Sequence, residues 1–225
     1  AAFSWICKDL AERKRSYKIC EDEELERISK TIRHQGVVAM IEEPIVEPMG
    51  EEDLSRWARE GKTGLLLHSV GNDHNLGAMV RSAAFFDACF VIISEGDAEA
   101  RLTTSAYRVA EGGMEHVIFR RIRDSARFLR AASKTIVTIG AEPRARWRIR
   151  DLDAVIKGWQ GASQDGSRGN GRPGIALVVG NEETGLPQEV KEQCTALVRI
   201  PGTGLVESLN VAQAAALFLH RVYEL

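Results

Sequence analysis

Polar residues stand just past the ends of apolar runs at three places in this chain, and those junctions are where chemistry could be done. Ile175–Val179 opens into Gly180-Asn181-Glu182-Glu183-Thr184-Gly185, and Leu197–Ile200 opens into Pro201-Gly202 and leads to Ser208-Leu209-Asn210. Earlier, Leu65–Val70 opens into Asn72-Asp73-His74-Asn75, with Arg81 following. Buried strands whose carboxyl ends open into such loops are where open α/β sheets bind ligands. Gly180 and Gly185 have the outer spacing of a P-loop, but Leu186 and Pro187 stand where its Lys and Ser or Thr belong. Gly202-Thr203-Gly204 begins like a dinucleotide fingerprint, lacks the third glycine and lies near the carboxyl end. Nucleoside triphosphates and NAD are therefore poor fits. Each junction alone also has a plain structural explanation. Asn75 reads as a helix cap, Arg81 as a solvated cation, and Ser208 as the cap of the last helix. A spacing of six residues does not put Asn75 and Arg81 on one helix face.

The elements that must hold these residues alternate. Strands are expected at 65–70, 90–93, 116–119, 135–139, 175–179 and 196–200, and helices at 75–86, 103–112, 124–132, 151–156 and from Ser208 onward. Such alternation argues for an α/β fold with a parallel sheet. The last helix carries Ala212, Ala214, Ala215 and Ala216 and is apolar on most faces, which predicts burial. Residues 8–35 are charged and helical in spacing. Pro44 and Pro48 among acidic residues read as an extended linker, and Glu51 to Glu60 as a short helix. The glycine-rich stretch 158–171 reads as a flexible loop.

Composition sets the outer bounds. The chain has 225 residues, 44% of them hydrophobic, which suits one ordinary domain plus a smaller piece. A formal net charge of −2 announces no overall nucleic-acid footprint, so local patches decide. Arg120, Arg121, Arg123, Arg127, Arg130 and Lys134 crowd one region, and Arg144, Arg146, Arg148 and Arg150 surround Trp147 in another. Cations that track phosphates beside an aromatic that stacks a base make an RNA-facing surface. A solvated, salt-bridged face has the same composition. The four cysteines form no CxxC pair, so neither a metal site nor a disulfide framework is expected, and reduced thiols in a cytoplasmic protein are the simplest reading. No run is long enough to span a membrane.

Taken together and in order, the three junctions resemble the SpoU-type (TrmH-like) RNA ribose 2′-O-methyltransferases of the SPOUT class. Asn75 and Arg81, in an N-x-G-A-x-x-R-S-A setting, match the first family motif. Gly180, Glu182 and Gly185 match the second, and Ile200-Pro201 with Ser208-Leu209-Asn210-Val211 match the third. The family usually has Met after Ile-Pro, where this chain has Gly202. The resemblance covers residues 63–225. Upstream, Tyr17, Glu24-Leu25 and His34 to Ala39 look like the end of the ribosomal-protein-like RNA-binding domain that precedes many such catalytic domains. The implied organisation is the carboxyl-terminal part of an RNA-binding substrate domain at 1–46, a linker at 47–62, and a SPOUT methyltransferase domain at 63–225.

The resemblance implies a deep trefoil knot at the carboxyl end of the sheet, S-adenosylmethionine as methyl donor, tRNA or rRNA as acceptor, and a homodimer. It implies that the donor contacts Gly180, Ile200 and Leu209 largely through backbone, with Gly140 lining the same pocket. The family assigns catalysis to the counterpart of Arg81. A guanidinium does not normally give up its proton, so a phosphate clamp that also stabilises the developing alkoxide is the better physical role. Asn75 would orient Arg81 or the ribose, Glu182 and Ser208 would hold the loops, and Asn210 would complete the site. His74 is a candidate proton acceptor. The alternative function is a catalytically inactive RNA-binding homologue of the same fold. A base-methylating member of the class is disfavoured by the Asn75/Arg81 pair.

Overall fold

Leu65, Leu66 and Leu67 are all fully buried, as are their neighbours in the adjoining strands, and this continuous apolarity requires a sheet covered on both faces. Each such leucine contributes about 1.5–3 kcal/mol relative to exposure. The computed structural model describes residues 3–96, 100–159 and 172–225. Seven strands form one sheet: β1 (Thr63–Leu67), β2 (Phe90–Ser94), β3 (Ile118–Ile122), β4 (Val137–Ala141), β5 (Trp147–Arg148), β6 (Ile175–Val179) and β7 (Ala196–Arg199). Their order is β3-β2-β1-β6-β4-β7-β5, and every pairing is parallel. Nine helices accompany them among the described residues: α1 (Ser4–Glu12), α2 (Asp22–Ser29), α3 (Glu51–Glu60), α4 (Asp73–Phe85), α5 (Thr104–Ala110), α6 (Ser125–Ala132), α7 (Leu152–Gly158), α8 (Gln188–Lys191) and α9 (Val211–Tyr223).

The two sheet faces carry separate cores. Leu65, Leu67, Val91, Leu177 and Val179 meet Met79 and Val80 of α4, Ala106 of α5, and Phe218 and Leu219 of α9. Leu66, Phe90, Ile92 and Val178 meet Trp57 of α3, Leu129 of α6 and Val190 of α8. The side-chain alternation along each strand divides them, since successive residues point to opposite faces. From β1 the chain steps outward to β2 and β3, then returns to build β4, β6 and β7 on the other side. The direction reverses where β1 adjoins β6, so a crevice opens beyond their carboxyl ends.

The chain divides into two compact units, residues 1–42 and 43–225. In the first unit, α1 and α2 carry no buried residue, and the helical reading of 8–35 resolves into these two helices. The stretch 47–62, read as a linker, joins the second unit through α3. Trp57 is fully buried, its Nε1 donates to the Lys62 carbonyl at 2.9 Å, and its ring lies 5.3 Å from that of Phe90.

Several expected boundaries move. α4 starts at Asp73 with Asn72 as its cap, not at Asn75, and α9 starts at Val211 with Asn210 as its cap, not at Ser208. In both cases a second cap-competent residue lies close by, and spacing alone does not choose between them. β3 begins at Ile118 because a 3-10 turn occupies Gly113–His116. β5 and α8, with two and four residues, are too short to show a period. The loop expected at 158–171 lies from residue 160 outside the described residues.

Candidate active site

Two helix starts and one strand-end loop converge at the β1–β6 crevice. Asn72 begins α4 by accepting the amides of His74 (2.9 Å) and Asn75 (3.3 Å) on its Oδ1. Asp73 in the first turn complements the positive end of the helix dipole. With the cap taken by Asn72, the Asn75 side chain is free of local duty. It donates from Nδ2 to Glu182 Oε1 at 2.7 Å and accepts on Oδ1 from Asn210 Nδ2 at 3.0 Å. The three motifs thus meet in one hydrogen-bonded cluster of Asn75, Glu182 and Asn210.

The direction of this chain is fixed by the backbone. Asn210 must turn its Oδ1 to the amides of Ala212 (2.9 Å) and Gln213 (3.4 Å), because the first N–H groups of α9 need an acceptor. That leaves only its Nδ2 to face Asn75, which in turn leaves only Asn75 Nδ2 to face Glu182. Every link donates toward the carboxylate, so the amides polarise one another in the same sense. The starts of α4 and α9 both lie at this cluster. At their far ends Phe86 stacks near His220 (5.7 Å) and Tyr223 (5.8 Å), so the two helices run side by side in the same direction. Two helix dipoles therefore present their positive ends near Glu182.

The loop after β6 is shaped by Gly180 and Asn181. A Cβ on Gly180 would stand 2.4 Å from the carbonyl carbon of Gly185, so no other residue fits there without moving backbone. Asn181 Oδ1 accepts the amides of Glu183 (2.9 Å) and Thr184 (3.1 Å), while its Nδ2 donates to the Ser69 carbonyl at 2.9 Å. Ser69 has a left-handed backbone (φ 53°), and its amide donates to Ser94 Oγ at 3.0 Å. Asn181 and Ser69 were not among the expected site residues. The signal for Asn181 is an Asn two and three positions before amides in a glycine-bounded turn, a local pattern typical of Asx turns. Nearby, His68 Nδ1 lies 2.9 Å from Ser125 Oγ, and burial lowers the imidazole pKa, with Glu189 opposing.

The remaining expected residues divide. Arg81 is not brought to the cluster. It lies on another face of α4, 57% exposed, with Nη1 3.0 Å from Glu111 Oε1 at the end of α5. Its six-residue offset from Asn75 accounts for this. Ser208 is exposed in the loop before α9 and does not cap it. Ile200 is half-buried against the core, and Leu209 is exposed. Gly140 lies one residue before the end of β4 with its Cβ direction filled by Leu197, Cys194 and Leu186, so backbone is what it can offer a ligand. Pro201 through Leu209 are all exposed, and none of their peptide groups makes a backbone–backbone bond among the described residues. This array of largely unpaired donors and acceptors suits a ligand bound through main chain, such as an adenosine and an amino-acid group. His74 is exposed.

The two basic blocks differ. Arg120 is chelated by Asp53 at 2.7 and 2.9 Å, which holds the Asp53 carboxyl below its usual range, and Glu95 takes both Arg121 and Arg123. In the second block Arg144 and Arg146 are exposed, and Arg146 lies over the Trp147 ring at 5.8 Å.

Comparison with known proteins agrees with this geometry. The model of the SpoU rRNA methylase family matches residues 62–220, and one for RNA 2′-O ribose methyltransferase substrate binding matches residues 1–46. The TrmH-family protein YacO of Bacillus subtilis is 32% identical over 86% of this chain and 71% of its own length. The 23S rRNA (guanosine-2′-O-)-methyltransferase RlmB of Acinetobacter baylyi is 34% identical over 87% of this chain and 73% of its own. The AdoMet-bound rRNA methyltransferase of Sinorhizobium meliloti shares the fold, with a TM-score of 0.72 at 24% identity over 91% of this chain and 70% of that one. Motif order, hydrogen-bonded cluster and sequence relatives converge on one conclusion: the chain belongs to the SpoU rRNA methylase family.

Proposed function

We propose that this chain transfers the methyl group of S-adenosylmethionine to a ribose 2′-hydroxyl of tRNA or rRNA. The carrying observation is the donor chain from α9 through Asn210 and Asn75 to Glu182, set beside the bare main chain of 201–209. Relatives bearing names of tRNA/rRNA and 23S rRNA methyltransferases support the substrate class. S-adenosylmethionine, when bound, supplies an electrophilic methyl on a sulfonium and needs no metal. Gly180, Ile200 and Leu209 hold its adenosine side through backbone, with the Gly140 main chain behind them. Ser208 and Glu182 hold the loops, and Asn75 and Asn210 fix the carboxylate and the approaching ribose. Positioning of this kind can supply about 7–11 kcal/mol of the barrier.

Arg81 acts through its guanidinium as a clamp on the neighbouring phosphate and on the developing alkoxide. It works across a homodimer. Phe85, one turn beyond on the same face, is 80% exposed, and Tyr223 and Leu217 of α9 add exposed apolar area. A partner copy covering Phe85 would also receive Arg81. The insertion of β6 between β1 and β4, and of β7 between β4 and β5, supports the deep trefoil knot. Residues 1–46 act as the end of an RNA-binding substrate domain, a reading supported by the substrate-binding family match. No helix among the described residues is long and apolar enough to cross a membrane.

The test is transfer of a labelled methyl group from S-adenosylmethionine to tRNA and rRNA kept as separate fractions from cells lacking this gene. Label that resists alkaline cleavage at its own linkage is the expected result. Label on a base, or a chain that does not bind the donor, overturns the reading.

A further inference from the structure

A second cavity opens at the carboxyl ends of β2 and β3, apart from the Asn75–Glu182–Asn210 cluster but on the same edge of the sheet. Its volume is about 590 Å³, within the range of roughly 300–1,000 Å³ typical of small-molecule sites. Its apolar lining includes the buried Ile93 and Leu102, and Ile45, 85% exposed, also borders it. Gly96 lines it as well, and among the described residues nothing lies within 4 Å of where a Cβ on it would stand. Arg101 and Arg121 line it too. Among the described residues, the Arg101 guanidinium pairs with Glu43 at 3.6 Å, with both side chains more than 60% exposed. Arg121 pairs with Glu95, its Nη1 2.9 Å from the carboxylate.

The cavity is tied to the cluster by Asp73. Its carboxylate accepts the Arg101 amide at 3.3 Å and the Thr103 hydroxyl at 2.8 Å, so the segment bearing Arg101 is pinned to the first turn of α4, two residues before Asn75. An apolar surface suits a base, and guanidinium groups suit a phosphate. We infer that this cavity is a subsite for a single-stranded ribonucleotide flanking the one that is methylated, its base against Ile45, Ile93 and Leu102 and its phosphate displacing Glu43 from Arg101. The inference rests on the RNA methyl-transfer reading and deepens it.

The test uses a fluorescently labelled, unstructured ten-nucleotide RNA and the full chain. Binding is followed by anisotropy at two salt concentrations, beside steady-state methyl transfer. Arg101→Glu and Ile45→Glu change exposed side chains and put a negative charge at the phosphate or base position. Each should weaken RNA binding by about tenfold, and Arg101→Glu should lower the log–log salt slope by about 0.7. Lys157→Glu makes the same charge reversal on α7, at a side chain 75% exposed, and should stay within about twofold. Equal losses in Arg101→Glu and Lys157→Glu, or a wild-type chain that does not bind this RNA, overturn the subsite. Methyl transfer separates the two readings. If RNA is methylated and Arg101→Glu leaves KM unchanged, the subsite fails and the activity stands. If Arg101→Glu weakens binding but no RNA is methylated, the subsite stands and the activity fails.

Discussion

The loops that follow β6 and β7 lie on the same edge of the same sheet and are built in opposite ways. The first satisfies itself. Asn181 binds two amides of its own loop and the Ser69 carbonyl, Gly185 N–H returns to the Asn181 carbonyl at 2.9 Å, and Gly180 allows the two backbone segments to touch. The second is open, and its one internal bond among the described residues is Leu205 N–H to Thr203 Oγ1 at 3.4 Å. Regular structure resumes where Asn210 starts α9. One wall of the site is organised before any ligand arrives, and the other keeps its peptide groups for the ligand. Ordering costs are thus confined to one loop.

The contrast breaks most sharply at its glycines. Gly180→Ala forces backbone apart and should reduce methyl transfer about a hundredfold, since displacements of an ångström cost that much. Gly202→Ala adds a methyl where nothing among the described residues lies within 4 Å and should change neither transfer nor donor affinity by more than about twofold. Parallel donor titrations and rate assays read both, and equal effects would erase the distinction between the loops. Asn210→Asp is the next largest. Asp caps a helix as well as Asn does, so thermal stability should hold. The donor toward Asn75 is lost, the chain to Glu182 is reversed or broken, and kcat should fall roughly tenfold. A melting temperature that falls along with kcat would mean that the cap, not the donor chain, is what Asn210 supplies.

The smallest effect sharpens the comparison on the organised side. Glu142, just beyond β4, binds Lys191 of α8. Burial pushes its carboxyl pKa up, yet the Lys191 hydrogen bond and the Arg144 amide bring it below the usual range. A carboxyl depressed in the folded state stabilises fully above its unfolded pKa, and that stability is lost as pH falls through the lower folded value. Glu142→Gln should therefore cost about 1–2 kcal/mol at neutral pH. The gap to wild type should close in acid, as urea melts at both pH values would report. A gap independent of pH would point to packing instead of charge.

Much of this was legible because strand and helix periods differ and most elements are long enough to show them. The parallel α/β sheet followed from alternation alone. The meeting of Asn75, Glu182 and Asn210, far apart in the chain, could be expected only from motif order. What stayed hidden was local competition. Asn72 and Asn75 are both cap-competent, as are Ser208 and Asn210, and tertiary bonds decide which residue caps and which reaches across. Arg120 and Arg121 look alike in sequence, but one is locked to Asp53 and the other shares Glu95. Pattern cannot assign partners of that kind.

The strand order also governs how the chain can be made. β1 ends at Leu67, yet its neighbour on one side is β6, which begins at Ile175. During synthesis, β1, β2 and β3 can pair as soon as they emerge, but one edge of β1 stays open until most of the chain exists. β4 waits likewise for β6 and β7. Non-local pairing of this kind folds slowly and leaves sticky edges exposed meanwhile. The strands that close the sheet are also the ones whose ends form the site, so a nascent chain acquires its active crevice only in its final folding step.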